Sequence, residues 1–188
     1  MHDEIKRDIS GIQIKGSQNI EADYLAFCCH ADDILPLLCD ATETEKKLFS
    51  PWSYNTHSTL LHTDSNMMPA SKHSWAAWNV LETDSGHLLS YYMNKLQPLT
   101  CKEDLFVSLI PSDYPNKDSL IDPNKIIKQM SYTHPLFKKD SFKLQTQIQA
   151  LQGQKRCYYS GSYLGYGFHE DAISASQIVA KHLGVLWP

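Results

Sequence analysis

The sequence predicts a mixed α+β and α/β fold, in which strand–helix segments at both ends of the chain enclose a mostly antiparallel sheet. Three observations predict it. An apolar strand followed by a short helix lies near the start, over residues 24–38. Four strand candidates in the middle are separated by Pro, Asn, Asp and Gly. A strand, a glycine-rich turn and a long helix close the chain, over residues 156–183.

The composition is that of an ordinary globular protein. Of 188 residues, 42% are hydrophobic and 20% are charged, and the net charge is -4 with scattered Lys and Arg. This charge pattern excludes a nucleic-acid partner. The apolar runs are too short for a transmembrane segment, and the opening MHDEIKRD lacks the apolar core of a secretory signal. The five cysteines form no CxxC pair, so we expect a cytoplasmic chain with reduced thiols.

The first 30 residues carry a strand pattern. Ile12 and Ile14 alternate with polar neighbours, and the turn residues 16–19 follow. This pattern predicts a hairpin whose second strand is the YLAFCC segment, residues 24–29. Because that strand is apolar on both sides, we expect it to be covered on both faces.

Four helices are predicted outside the middle strands. Thr42 and Glu45 have the spacing of a capping box. The last helix carries acids in its first turn, bases in its last turn and Gly184 just beyond, which suits the helix dipole and a glycine C-cap. The predicted helices are residues 31–38, 42–49, 141–151 and 169–183.

The middle of the chain is rich in aromatic residues and strand patterns. The tight turn Thr83-Asp84-Ser85-Gly86 predicts that the second and third strands pair antiparallel. We interpret Trp75, Trp78, Tyr91 and Tyr92 as the aromatic core of this sheet rather than as a substrate cage. The predicted strands are residues 58–62, 75–82, 88–96 and 105–110.

The strand–turn–helix at the end is the most informative segment. A strand ends at Gly161, a loop holds Gly165 and Gly167, and a helix begins at His169. Free amides at a helix N-terminus suit an anionic or electron-rich ligand, and glycines let the backbone approach it. By physical reasoning alone, a C-terminal strand and helix joined by a glycine turn, with no ligand, explains the segment equally well.

Five motifs in order carry a family resemblance. They are LLHTDSNMMP, WAAWNV, YYMNKLQ, the HP-x-F at residues 134–137, and GSYLGYGFHEDAISAS. Over residue 10 to the end, the chain resembles a bacterial subfamily of predicted NAD/FAD-binding proteins, the FAD-dependent oxidoreductases of the flavin amine oxidase superfamily. Two departures from the family pattern stand out. Ala172 and Ala175 replace glycines, and Ser162 replaces an acid that holds a flavin hydroxyl in the wider superfamily.

The resemblance implies a cofactor and a domain plan. Residues 1–40 resemble the middle piece of an FAD-binding domain, 41–151 a substrate-binding domain, and 152–188 the C-terminal strand–turn–helix of the FAD-binding domain. The implied cofactor is FAD. The implied cofactor-binding residues are Gly161, Ser162, Gly165, Tyr166, Gly167, Phe168, His169, Glu170, Asp171 and Ala172. The weaker substrate-binding candidates are His62, Asp64, Trp78, Asn79 and Tyr92.

The G-x-G-x-x-G turn that holds the pyrophosphate in such domains does not occur in the sequence. We therefore expect a C-terminal fragment that binds FAD weakly or not at all alone and that needs a separately encoded N-terminal FAD-binding half. The complete enzyme would take hydride from an amine, a polyene or a lipid-type substrate. Two alternatives stay open: a non-enzymatic truncated product, and a small lipid-binding module.

Other constellations predict less. His57 and His62 are an odd number of residues apart on one strand, so they point to opposite faces and we expect no metal site with Asp64. Cys29 and His30 diverge as neighbours, which argues against a nucleophile pair. His62-Thr63-Asp64 is interpreted as a strand end that turns the chain, with substrate contact as the alternative. No catalytic residue is assigned.

Overall fold

The computed structural model describes residues 4–185. The chain divides into two compact units. The first unit comprises the residues up to Tyr54 together with those from Pro135 onward, and the second is Asn55–His134. Within the described residues, no helix has the length and apolar character needed to cross a bilayer.

A three-stranded antiparallel sheet opens the first unit. Its strands are β1 (Glu4–Arg7), β2 (Ile12–Lys15) and β3 (Ile20–Ala22). The hairpin after β2 therefore closes on β3, and the prediction that it closes on residues 24–29 is wrong. The reason is the turn length, because residues 16–19 bring Ile20 directly opposite Ile14.

A second sheet of the first unit joins distant parts of the chain. Strand β4 (Leu25–Phe27) pairs in parallel with β10 (Cys157–Tyr159), so the predicted strands over 24–29 and 156–160 lie side by side. The rings of Phe27 and Tyr159 stack with centroids 5.5 Å apart. Phe27 is buried but Ala26 is exposed, so the expectation that this strand is covered on both faces is wrong.

Helices cover the core of the first unit. They are α1 (Ile34–Leu37), α2 (Glu43–Phe49), α4 (Ser141–Gln149) and α5 (His169–His182). The predicted capping box of α2 is present, with Thr42 and Glu45 each bonded to the other's backbone amide. Leu48, Phe49 and Ile148 are buried in the same hydrophobic core as Phe27.

The packing of α2 and α4 moves the boundaries of the units. Because their apolar faces complete this core, residues 41–54 and 135–151 belong to the first unit, whereas the sequence analysis placed them in the middle region. The assignment of each piece to a flavin domain remains a prediction.

The second unit is built on a five-stranded sheet. Its strands are β5 (Tyr54–His62), β6 (Trp78–Thr83), β7 (Gly86–Tyr92), β8 (Phe106–Pro111) and β9 (Ile126–Pro135), in the order β6-β7-β8-β5-β9. The turn over residues 83–86 joins β6 and β7 antiparallel, as predicted. A short helix, α3 (Met93–Leu96), replaces the end of the predicted strand 88–96. The fifth strand was not predicted, because most of its residues are polar or exposed.

The strand register separates the side chains of this sheet into two faces, since directly opposed residues share a face. The covered face carries the buried Leu60, Leu88, Phe106 and Ile110, on which Met67, Met68, Trp75 and Ile121 pack. The open face is also apolar but only partly buried. Its side chains are Leu61, Trp78, Val80, Leu89, Tyr91, Val107 and Leu109.

Candidate functional site

The C-terminal strand–turn–helix is held firmly within the first unit. Strand β10 ends at Tyr159, one short turn covers Ser162–Leu164, and α5 starts at His169. The Gln145 side chain on α4 donates hydrogen bonds to the carbonyl oxygens of Tyr163 at 3.0 Å and Gly165 at 2.6 Å. The turn is therefore fixed from outside as well as by its own backbone.

The glycines of this turn make room for neighbouring side chains. A Cβ on Gly161 would stand 2.5 Å from Cε1 of Tyr163. A Cβ on Gly165 would collide with the Asp171 carboxylate. Gly167 has φ +94°, a conformation that L side chains rarely adopt. Internal packing thus accounts for Gly161 and Gly165, and the backbone conformation accounts for Gly167. Close approach of a ligand is not needed to explain them.

Asp171 closes the turn onto the helix. Its Oδ2 accepts hydrogen bonds from the backbone amides of Tyr166 at 3.0 Å and Phe168 at 2.9 Å. The first-turn amides of His169, Glu170 and Asp171 itself have no acceptor among residues 4–185. A helix leaves its first amides free in this way, and they attract electron-rich groups.

The ten predicted cofactor-binding residues lie together on the surface of the first unit. Tyr166 is 70% exposed and Phe168 57% exposed, and none of the ten is fully buried. The ring of Tyr166 lies 5.8 Å from that of Phe142 on α4. The start of α5 presents its free amides beside two acids, Glu170 and Asp171. Because these side chains are negatively charged, this helix start attracts anions less than an uncharged helix start would.

Tyr163 is a residue of this turn that the sequence analysis did not select. Its side chain is 1% exposed, and its hydroxyl has no hydrogen-bond partner among the described residues. Burial raises the pKa of this phenol, so the hydroxyl keeps its proton. The Trp52 ring packs edge-on against it, 5.5 Å between centroids, and Trp52 Nε1 is equally unpartnered. Tyr163 stands out because its buried polar group has no hydrogen-bond partner, and this property can be seen only in the folded structure.

The five substrate-binding candidates do not form one cluster. His62, Asn79 and Tyr92 belong to the covered face, whereas Trp78 lies on the open face and is 51% exposed. The Asn79 side chain is hydrogen-bonded within its own turn, because its Oδ1 accepts a hydrogen bond from the Ala76 amide at 2.9 Å. The Tyr92 hydroxyl donates to Asp104 at 2.6 Å. Among the five, Trp78 is the side chain that offers an apolar surface to a ligand.

His62 and Asp64 organise the end of β5, and both are fully buried. The amide of Asp64 donates to Nδ1 of His62 at 3.2 Å, so Nε2 carries the proton and donates to Ser108 Oγ at 2.8 Å. Burial lowers the pKa of His62. Although burial raises the pKa of Asp64, the amides of Asp122 and Asn66 and the Lys125 ammonium together lower it. These contacts fit the interpretation that the motif turns the chain, while substrate contact remains a prediction.

Three exposed side chains bring possible metal ligands together. Ligand atoms of His30, Asp32 and Asp33 lie within 4.8 Å of one another. Exposed acidic groups often adopt such an arrangement without an ion, and we assign no metal to it. His57, His62 and Asp64 do not form such a group among the described residues.

Comparison with known proteins identifies the fold. No protein-family model matches the chain, and no curated protein matches its sequence. Solved structures do match. The CLA-producing fatty acid isomerase from P. acnes superposes with a TM-score of 0.66 over 98% of this chain at 13% identity. The reduced UDP-galactopyranose mutase gives 0.64 over 98% at 11% identity. Cyclohexylamine oxidase from Brevibacterium oxydans IH-35A gives 0.61 over 96% at 11% identity.

The chain has a flavin amine oxidase-like fold. At such low sequence identity, the likeness concerns the fold alone. The chain spans about half of each matching structure, namely 47%, 46% and 48% of their lengths. In this flavin amine oxidase-like fold, the first unit carries the strand–turn–helix and the second carries the five-stranded sheet.

Proposed function

We propose that this chain forms the flavin-facing part of an FAD-dependent, amine oxidase-like oxidoreductase. One observation carries the proposal. The parallel pair of β4 and β10 leads through a glycine turn to the free amides of α5, in a chain with a flavin amine oxidase-like fold. Such a strand–turn–helix is a common way to place a helix N-terminus against a cofactor.

The residues present fit the ring end of a flavin. The free amides of His169 and Glu170 suit the electron-rich N1/O2 edge of the isoalloxazine. The unpartnered Tyr163 hydroxyl is buried against Trp52, so it is not counted among these donors. Ser162 stands where the wider superfamily has an acid, and its hydroxyl hydrogen-bonds a flavin hydroxyl more weakly than a carboxylate does.

The ADP end of FAD has no matching site in this sequence. Pyrophosphate binding in such domains uses a G-x-G-x-x-G turn at a helix start, and residues 1–188 contain none. We propose that a separately encoded N-terminal half binds the pyrophosphate. The activity of the complete protein depends on that half, because most of the cofactor affinity comes from it.

A bound flavin would supply the hydride-accepting chemistry. This chain then contributes binding and orientation. The amides of α5 stabilise negative charge at the pyrimidine edge, and the fixed turn holds them in place through Gln145. The negative charge of Asp171, close to those amides, opposes this stabilisation. No side chain of this sequence is assigned as a general acid or base.

The open face of the five-stranded sheet favours an apolar substrate. Trp78 and Val80 are 51% and 65% exposed, which is unusual for two such large apolar side chains on one face of a strand. Two of the matching structures are a fatty acid isomerase and a cyclohexylamine oxidase. We propose a substrate with a hydrocarbon part, either a lipid or a hydrophobic amine.

The test uses the chain reconstituted with its flavin-binding partner half under anaerobic conditions. Candidate fatty acids and hydrophobic amines are mixed with the yellow protein, and loss of the flavin absorbance reports hydride transfer. Trp78→Ala is expected to weaken substrate binding by about tenfold, whereas Tyr132→Ala, which removes a ring of similar exposure from β9, leaves it unchanged. Reconstituted protein that stays colourless contradicts the proposal, and so does yellow protein that no substrate of either class reduces.

A further inference from the structure

The second unit contains two adjoining cavities on the covered side of its sheet. The inner cavity has a volume of about 190 Å³ and the outer one about 330 Å³. They share Ser58, Lys117 and Gln129 as lining residues. Small-molecule sites in proteins have volumes of roughly 300–1,000 Å³, and the two cavities together reach that range.

The inner cavity has an apolar floor. Leu60, Ile110 and Ile121 are 6%, 1% and 2% exposed and belong to the same hydrophobic cluster. Ile126 packs against that cluster from the start of β9. A water occupies roughly 30 Å³ in the liquid, so the inner cavity accommodates an apolar group of about six non-hydrogen atoms.

The lining residues that the two cavities share are all polar. The Lys117 ammonium donates to the carbonyl oxygen of Ser112 at 2.7 Å, which holds it at this point with two N–H bonds left for another acceptor. The Ser131 hydroxyl lines the outer cavity. Asp118, which carries the opposite charge, lines the inner cavity but is not among the residues of the outer one. The outer cavity thus offers hydrogen-bond donors to an anion.

The loop between β8 and β9, residues 112–125, lines the inner cavity and is bonded to the buried Asp64. Oδ2 of Asp64 accepts from the Asp122 amide at 2.8 Å, and Oδ1 pairs with the Lys125 ammonium at 3.2 Å. At the other end of the loop, the Tyr114 hydroxyl lies 2.7 Å from Oγ1 of Thr83. These contacts hold the loop in place over the inner cavity. Asp64 is therefore a positioning residue, which acts on the cavity through the loop.

We propose that these cavities form a binding site for a short-chain carboxylic acid, with its alkyl chain on the Leu60–Ile110–Ile121 floor and its carboxylate at Lys117. The site lies within the second unit, so it does not depend on the proposed flavin function. An apolar pocket with one placed cation at its mouth is the usual arrangement for recognising an amphiphilic anion.

The experiment is ligand-observed NMR on the full 188-residue chain with hexanoate, hexylamine and hexan-1-ol, three linear six-carbon ligands with different head groups. Hexanoate is expected to bind at least about tenfold more tightly than either of the others. Lys117→Gln lowers hexanoate affinity by about tenfold and leaves hexan-1-ol unchanged, while Lys117→Arg retains hexanoate binding. The matched control is Lys128→Gln, which removes an exposed lysine of β9 that lines neither cavity.

Three results overturn the proposal: no binding of hexanoate up to about 10 mM, binding of hexylamine as tight as that of hexanoate, or equal hexanoate affinity of the parent chain and Lys117→Gln. A second variant, Ser58→Leu, fills the wall that both cavities share and is expected to abolish binding of both hexanoate and hexan-1-ol. Thermal unfolding confirms that each variant is folded. If Lys117→Gln does not fold, the ranking of the three hexyl ligands on the parent chain decides the matter.

Discussion

The carboxylate of Asp171 accepts a hydrogen bond from the backbone amide of Phe168 at 2.9 Å. The same carboxylate also holds the amide of Tyr166 and lies where a Cβ on Gly165 would stand. The third residue of α5 therefore caps the turn that precedes the helix, and the turn must have glycine at 165 to admit it. A Cβ at this position would overlap the Asp171 carboxylate oxygen, so steric room requires glycine there.

The first prediction is a coupling between Gly165 and Asp171. Gly165→Ala is expected to lower the free energy of unfolding by about 1–3 kcal/mol, because the added methyl group meets the Asp171 side chain. Asp171→Gly removes that side chain, so the double variant is expected to be more stable than the sum of the single effects predicts. Chemical denaturation of the four proteins measures the coupling.

The control is a second mutant cycle, in which Gly161→Ala instead of Gly165→Ala is combined with Asp171→Gly. A methyl group at Gly161 meets the Tyr163 ring instead, so Gly161→Ala and Asp171→Gly are expected to act additively. Additive effects in the Gly165 cycle as well would show that Asp171 does not determine the need for glycine at 165.

The second prediction concerns the buried ion pair of the first unit. Arg7 reaches Glu45 through both terminal guanidinium nitrogens, and the Tyr159 hydroxyl donates to the same carboxylate at 2.9 Å. Glu45→Gln leaves the Arg7 guanidinium buried with Asp40 as its remaining carboxylate partner. We expect a loss of about 3 kcal/mol in the free energy of unfolding.

The matched control is Glu43→Gln on the same helix. Glu43 pairs with Lys46 on the surface, where its side chain is 89% exposed, so its loss is expected to cost less than about 1 kcal/mol. Urea unfolding compares the two variants. Equal effects would contradict the account of Glu45 as a partner that a buried arginine requires.

The third prediction is an acid sensitivity that arises from Glu45. Burial by itself would raise its pKa, but the hydrogen bonds from Arg7 and Thr42 lower the pKa to about 2 from an ordinary 4.5. The folded state therefore favours the charged form. Its stabilising effect is present above pH 4.5 and is lost as the pH falls towards 2. The difference in unfolding free energy between the parent chain and Glu45→Gln is expected to shrink across that window, and a constant difference would contradict it.

The fourth prediction concerns His62, whose pKa burial lowers from 6.5. As the pH falls below 6.5, the unfolded chain takes up a proton that folded His62 does not, so stability is lost. The nearby charge of Asp64 opposes this shift without cancelling it. We expect the parent chain to have a higher free energy of unfolding than His62→Gln at about pH 8, and this difference to shrink as the pH falls to about 5. The exposed His87→Gln serves as control, and a pH-independent gap for His62→Gln would disprove the effect.

Local signals in the sequence predicted several elements well. The capping box at Thr42 and Glu45, the turn over residues 83–86 and the long helix from His169 all rest on interactions between residues close in sequence. The parallel pairing of β4 with β10 is long-range, so local signals do not indicate it.

Features set by packing were missed. Strand β9 has few buried side chains, so it lacks the apolar alternation that predicts a strand. The unpartnered hydroxyl of Tyr163 depends on tertiary packing. The split of the substrate candidates between two faces depends on strand register. The glycines of the turn were interpreted as room for a ligand, whereas the contacts of Tyr163 and Asp171 account for two of them. A sequence pattern cannot distinguish these two uses of glycine.

The most direct test of the flavin-facing role is titration of residues 1–188 with FAD, FMN and ADP, followed by calorimetry. Two or three hydrogen bonds of about 0.5–1.5 kcal/mol each, with some stacking, must offset an association cost of at least about 4 kcal/mol. We therefore predict that FMN and FAD bind with similar dissociation constants, no tighter than about 100 µM, and that ADP does not displace FMN. Micromolar or tighter binding of FAD, or displacement of FMN by ADP, would contradict the account.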